Sequence, residues 1–296
     1  MMVNTSGQRA APVRSLFAGL SGRHVPRTGT GGERYPLVVA LHGGTYDSRY
    51  FDVPGYSLLG RAAALGIPVL APDRPGYGES KLLPNGAGTL RDHADFLAGA
   101  IGEGWRSYGA DAAGVVLIAH SIGAGIALML AGRALDWPLL GLAVSGVGLH
   151  TPDASRDAWA ALPDLVHVEL PAPLKDQVMF GPPGSYADDM PALSHLADAP
   201  VPRAEIVDIV NTWHDHAPGV LAAVRVPVHY RQAELDRLWI VDDGEVAGFA
   251  RALSASPRVD WAMQRGTGHC IDFHHDGAAL QVQQLGFALQ CAAQAR

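Results

Sequence analysis

The sequence predicts an α/β architecture: a mostly parallel central sheet covered by helices on both faces, with a helical cap inserted in its second half. Short apolar runs of strand length recur along the chain without alternation and are separated by helical stretches. That is the pattern of strands buried on both faces and joined by crossover helices. His42, Asp73 and Ser121 each lie just beyond such a run, at the carboxyl ends of strands, where parallel sheets bind ligands. The 296 residues, 48% hydrophobic and 17% charged, can bury one large core and still carry an insertion.

Residues 1–12 read as a disordered lead. Residues 13–20 and 22–28 read as two short strands joined by a turn at Ser21-Gly22, followed by a flexible loop, Thr28-Gly29-Thr30-Gly31-Gly32. Pro36-Leu37-Val38-Val39-Ala40-Leu41 is a buried strand ending at His42-Gly43-Gly44-Thr45-Tyr46. Leu58, Leu59, Ala62 and Ala63 fall at helical spacing within residues 57–65, and Gly66 ends that helix. Ile67-Pro68-Val69-Leu70-Ala71-Pro72 is a second buried strand. Residues 89–105 predict a long helix capped by Thr89, with Phe96, Leu97 and Ile101 on its apolar side.

Val115-Val116-Leu117-Ile118-Ala119-His120 then runs almost straight into Ser121-Ile122-Gly123-Ala124-Gly125, and residues 126–131 continue as helix. A buried strand that turns abruptly into a helix at a serine is the geometry of a nucleophile elbow. The same residues also fit a strand–helix junction with an ordinary capping serine. Residues 139–147 are again strand-like. From 148 to 225 the rhythm breaks into a proline-containing stretch with helical patches at 158–162, 191–196 and 204–214. Nothing in it suggests a separate core, so the predicted layout is a core of residues 13–147 and 226–296 and a helical cap of 148–225. Strands at 226–231 and 259–263 and an amphipathic helix at 279–293 close the chain.

Composition narrows the partners. A net charge of −7 leaves no basic footprint for nucleic acid. No apolar run reaches the roughly 18 residues of a membrane span, and residues 1–9 lack the apolar centre of a secretion signal, so a cytoplasmic enzyme is the expectation. The two cysteines, Cys270 and Cys291, imply neither a disulfide framework nor a metal site. His214-Asp215-His216 is not a metal site either, since ligands at i and i+2 point apart on a helix. No metal and no cofactor is expected. A small-molecule substrate is, and a homodimer stays open.

A serine hydroxyl needs a base within hydrogen-bond reach, and the base needs an orienting carboxylate. Glu234 and Asp236 follow the strand at 226–231. Arg265-Gly266-Thr267-Gly268-His269-Cys270 supplies a histidine after the last strand. Here the chain resembles the α/β-hydrolase superfamily over essentially its whole length. His42-Gly43-Gly44 is similar to that family's oxyanion turn. Asp73-Arg74-Pro75-Gly76-Tyr77-Gly78-Glu79-Ser80 is similar to its D-x-x-G-x-G-x-S segment, Val226-Pro227-Val228 with Glu234-Leu235-Asp236 to its acid-bearing strand and turn, and Gly266-Thr267-Gly268-His269 to its histidine loop. The family's G-x-S-x-G elbow reads Ala119-His120-Ser121-Ile122-Gly123 here, one methyl larger at its first position.

The resemblance implies a triad of Ser121, Asp236 and His269, with Asp236 preferred to Glu234 on spacing. It also implies oxyanion donors at the backbone amides of Gly44 and Ile122. The reading that follows is a cofactor-independent serine hydrolase cleaving an ester, thioester or lactone through an acyl-enzyme. Lyase, isomerase or cyclase chemistry, C–C bond hydrolysis and a ligand-sensing role are the alternatives on the same scaffold. His150, Trp159, Met179, Phe180 and Trp213 are the candidate pocket residues, the four apolar ones doubling as candidates for cap core. His42 and His120 read as structural, Arg74 and Glu79 as loop salt bridges, and Asp272 with His274 and His275 as a solvated face.

Overall fold

Among the residues described by the computed structural model (11–28, 34–161 and 163–295), eight strands form one sheet. The elements run β1 (Ala11–Phe17), β2 (Leu20–Val25), β3 (Leu37–Leu41), α1 (Leu58–Ala64), β4 (Val69–Pro72), α2 (Leu90–Tyr108), β5 (Val115–His120), α3 (Ile122–Ala131) and β6 (Leu139–Ser145). An insertion then contributes α4 (Asp153–Ala160), β7 (His167–Val168), α5 (Ala172–Met179), α6 (Met190–Ser194), β8 (Val201–Pro202), α7 (Arg203–Asn211) and α8 (Trp213–Ala222). The core resumes with β9 (Val228–Ala233), α9 (Asp243–Ala252), β10 (Val259–Gln264) and α10 (Gly277–Gln294).

The strand order is β1-β2-β4-β3-β5-β6-β9-β10. β1, β2 and β4 pair antiparallel, and every other pair of this sheet is parallel, while β7 and β8 form a separate antiparallel pair. Every residue of β3, β4 and β5 is buried, as unalternating Val, Leu, Ile and Ala runs require when helices cover both faces. β4 and β5 flank β3 on opposite sides, so the chain reverses its winding there and opens a crevice beyond the carboxyl ends of β3 and β5. α2 begins on a capping box in which Thr89 and Asp92 satisfy each other's backbone amides.

Two expectations change. The first hairpin turns at Ala18-Gly19, both at positive φ (50° and 75°), as a two-residue loop between twisted strands demands. Ser21 and Gly22 lie inside β2 instead; a Cβ on Gly22 would meet the Ala71 carbonyl oxygen at 2.3 Å, so that glycine serves close strand packing. Of the expected disordered lead, residues 1–10 fall outside the described residues, but Ala11 and Pro12 pair with His24 and Arg23. The glycine loop at 29–33 also falls outside them. Within the described residues no helix is long and apolar enough to cross a membrane.

Candidate active site

β5 delivers Ser121 to the crevice on a strained backbone, φ 55° and ψ −125°, a conformation that side-chain-bearing residues avoid. The surroundings over-determine it. Ser121 N donates to Ser145 O (2.9 Å), and Ser121 O accepts from Ala124 N (2.8 Å) and Gly125 N (3.1 Å). The tight point of the turn is Gly123, where a Cβ would stand 2.4 Å from the carbonyl oxygens of both Leu41 and His42. Ala119 pairs with Leu41 and Val144 in the sheet and is buried without conflict, so the extra methyl is absorbed within β5.

Three elements that lie far apart in sequence meet at this serine. His269 Nε2 lies 2.9 Å from Ser121 Oγ, and His269 Nδ1 lies 2.7 Å from Asp236 Oδ2. With Nδ1–H donating to the carboxylate, Nε2 is left to accept the serine hydroxyl proton. All three side chains are buried. Asp236 is held in turn by Leu238 N on Oδ1 (2.9 Å) and Gln232 Nε2 on Oδ2 (3.0 Å). Glu234 does other work: it accepts from Arg265 Nη1 (2.8 Å) and Gly266 N (2.7 Å), and these bonds hold its carboxyl below the ordinary range.

The histidines around the site are fixed and neutral. His42 Nδ1 donates to Gly43 O (2.8 Å), and its Nε2 accepts from Arg74 N (3.1 Å). His120 stacks on Tyr50 at 4.9 Å and lies 4.8 Å from the His269 ring, centroid to centroid. Burial holds the pKa of both well below the usual histidine value, with Arg74 adding to it at His42 and His269 at His120. The expected solvated face at 272–275 exists only at His275. His274 is buried; its Nε2 accepts from Gly268 N (2.9 Å) and Gly181 N (3.0 Å), tying the His269 loop to the insertion. Asp272 is buried too, accepting from Tyr50 Oη and Gln281 Nε2 (2.9 Å each), and burial raises its pKa. Periodicity hid this, because a tight loop packed under a neighbouring segment buries consecutive residues.

Gly44 and Ile122 face one another across the elbow. A Cβ on Gly44 would lie 2.9 Å from Ile122 Cδ1, and one on Gly43 would lie 2.8 Å from Ser121 Cβ, so the turn after β3 presses its bare backbone against Ser121. Ile122 opens α3, and the first amides of a helix have no intrahelical acceptor. A small, mostly apolar cavity of about 60 Å³ lies over these groups. Its walls are Ile206, Ile209 and Val210 of α7, Trp159 and Met179 of α4 and α5, Leu238 and Trp239 after β9, and Thr45 and Thr151.

Three expected pocket residues are not among that lining. His150 is exposed and pairs with Glu245 Oε2 at 2.9 Å. Phe180 packs against Tyr186, Phe273 and His274. Trp213 is buried in the main core, with Nε1 donating to Gly148 O at 2.8 Å. Gln232, Thr151 and the α7 residues carry no sequence signal for the site, because which face of α7 meets the crevice depends on how the insertion packs. Among the described residues, no three His, Cys, Asp or Glu side chains are grouped to hold a metal ion.

Residues 38–281 match the family model described as "Alpha/beta hydrolase family". The chain belongs to the alpha/beta hydrolase family and is a hydrolase of that fold. No curated protein matches it in sequence. Among solved structures it is similar to a thermophilic esterase from Thermogutta terrifontis, with a TM-score of 0.65 at 17% identity over 96% of this chain and 99% of that one. It is also similar to a Paleococcus ferrophilus monoacylglycerol lipase, with a TM-score of 0.61 at 15% identity over 88% and 97% of the two chains. A third is an esterase from Exiguobacterium antarcticum, with a TM-score of 0.65 at 15% identity over 94% and 99%.

Proposed function

We propose that the protein is a cofactor-independent serine hydrolase that cleaves an uncharged ester, thioester or lactone through an acyl-enzyme on Ser121. The observation that carries this reading is the relay of Ser121 Oγ, His269 Nε2, His269 Nδ1 and Asp236 Oδ2, with links of 2.9 and 2.7 Å, opening onto an apolar cavity. In the forward step Ser121 Oγ attacks the carbonyl carbon while His269 Nε2 takes its proton. Asp236 keeps the imidazole in the required tautomer and stabilises its charged form. The carbonyl π electrons move to oxygen, where the amides of Gly44 and Ile122 receive the negative charge. Such donors contribute about 10²–10³ in rate each. Collapse expels the alcohol or thiol, which takes the proton from His269. Water, deprotonated by the same imidazole, then attacks the acyl carbon and releases the acid and Ser121.

The insertion of residues 148–225 serves as the cap in this reading. Its α4, α5 and α7 wall the cavity with Trp159, Met179, Ile206, Ile209 and Val210, which suits an apolar acyl or alcohol group. A fluorophosphonate probe with a panel of p-nitrophenyl esters, thioesters and lactones tests the proposal. Stoichiometric labelling of Ser121, and loss of turnover by several orders of magnitude in Ser121→Ala, are the expected results. Equal labelling of the wild type and Ser121→Ala would overturn it.

A further inference from the structure

Arg74 is fully buried, and so is Glu205 in the first turn of α7. Their side chains meet as a bidentate pair, Nη1–Oε2 at 2.5 Å and Nη2–Oε1 at 3.1 Å. Tyr77 Oη also donates to Glu205 Oε1, and His93 Nε2 lies 3.6 Å from Oε2. Burying two charges is costly and need not stabilise a fold, so what else the guanidinium touches matters. Arg74 Nε donates to the carbonyl oxygen of His42 (2.9 Å), and Nη2 donates to that of Gly43 (3.0 Å). These are consecutive carbonyls of the turn that presents the Gly44 amide.

A trans peptide is planar, and its C=O and N–H point in opposite directions. Fixing the Gly43 carbonyl on Arg74 therefore fixes the Gly44 N–H pointing away from Arg74. Gly44 shares the cavity wall with Ser121 and Ile122. A cation on the carbonyl also polarises the peptide and makes its N–H a better donor. The far side of the same turn is strapped independently. Thr45 sits at φ 63°, and its carbonyl accepts from Ala199 N (3.0 Å) and from the buried Lys175 Nζ of α5 (3.1 Å), whose ammonium pairs with Asp198. Both straps end in the insertion. α7 is thus one helix with two duties, since Glu205 holds Arg74 while Ile206, Ile209 and Val210, one, four and five residues further on, wall the cavity.

We propose that Arg74 and Glu205 are positioning residues: Glu205 of α7 holds the Arg74 guanidinium on the His42 and Gly43 carbonyls, which together with His42 Nδ1 on the same Gly43 oxygen aims the Gly44 amide, so that full alignment of the oxyanion donor depends on α7 being seated. The proposal rests on the reading of Ser121 and Gly44 given above. It makes the catalytic step, rather than ground-state binding, sensitive to a charge pair that touches no substrate.

Arg74→Lys and Glu205→Gln test it. Lysine keeps a charge but cannot span two carbonyls and a carboxylate in one plane. Glutamine keeps the volume but releases the guanidinium. The double variant Arg74→Met/Glu205→Leu leaves no unpaired charge in the core and serves where a single variant does not fold. Each is compared per site titrated by a fluorophosphonate, with kcat and KM for a p-nitrophenyl ester and the inhibition constant of a trifluoromethyl ketone. Expected is a fall in kcat of about 10–100-fold, part of the full effect of losing a donor, with KM within about threefold and ketone affinity falling in parallel with kcat/KM. Wild-type kcat per titrated site, or a loss confined to KM, would overturn the proposal. Failure of the wild type to label at Ser121 would instead overturn the nucleophile reading, so the two failures are distinguishable.

Discussion

Two carboxylates two residues apart illustrate how much a single side chain's direction decides. Asp236 accepts the His269 Nδ1 proton at 2.7 Å and is further fixed by Gln232 and Leu238, while Glu234 points to Arg265 at the base of the histidine loop. Asp236→Asn is expected to lower kcat by about 10³–10⁴, because an amide in that place favours the wrong imidazole tautomer. Glu234→Gln is expected to keep kcat within about threefold. Both are read by initial rates on a p-nitrophenyl ester, and the opposite ranking would assign the acid to Glu234. Ser121, Asp236 and His269 were legible because each follows a strand the apolar pattern marks. Arg74 was legible only as a loop charge. Its partner stands 131 positions away, and no local pattern links an arginine after β4 to a glutamate on an inserted helix. His150 misled for a related reason: a polar residue just past a strand end also fits an exposed ion pair, and Glu245 of α9 provides it.

At the scale of elements, the elbow depends on how closely α3 approaches the turn after β3, and the two small residues flanking the serine are not equivalent. Gly123 faces two carbonyl oxygens at 2.4 Å from a would-be Cβ, whereas Ala119 already carries its methyl inside β5. Backbone cannot yield as a flexible side chain can, so Gly123→Ala is expected to destabilise by about 1–3 kcal/mol, the usual cost of overpacking. It should also remove most activity, since the displaced atoms belong to the turn proposed to hold the oxyanion. Ala119→Gly should cost no more than about 1 kcal/mol, the added backbone entropy. Thermal unfolding with residual turnover of a p-nitrophenyl ester checks both. A Gly123→Ala protein with wild-type melting and turnover would show that the turn is looser than this packing implies. The buried strands and the long capped helix α2 were readable from periodicity because their faces are set locally. The helices at 172–179 and 213–222 were not, since inside an insertion the buried face follows from what the segment covers.

For the molecule as a whole, the expensive groups are buried neutral histidines, and they set the acid limit of the fold. His93, under α7, and His229, in β9 against Phe287, are both buried, and burial draws their pKa from the ordinary value near 6.5 down to about 4. At His229 the Arg231 cation lowers it further while Asp260 opposes. In the unfolded chain each histidine takes up its proton near pH 6.5; in the folded chain it does so only near pH 4. Between those values the unfolded state binds more protons, so stability rises with pH. The contribution is fully present above about pH 6.5 and is lost as the pH falls through 4, on the order of 3 kcal/mol for each histidine. Urea unfolding from pH 8 to pH 4 should therefore give a free energy that is nearly level above pH 7 and declines below 6.5. His229→Leu keeps an apolar side chain against Phe287, far in sequence from Ser121 and His269, and removes one of these groups. Its decline should be shallower than the wild type's by one histidine's contribution, on the order of 3 kcal/mol, with His42, His93 and His120 still adding to the acid limb, and turnover of a p-nitrophenyl ester near neutral pH should be unchanged. An acid limb of wild-type steepness in His229→Leu would mean that this histidine is protonated in the folded state at ordinary pH, and that the limit is set elsewhere.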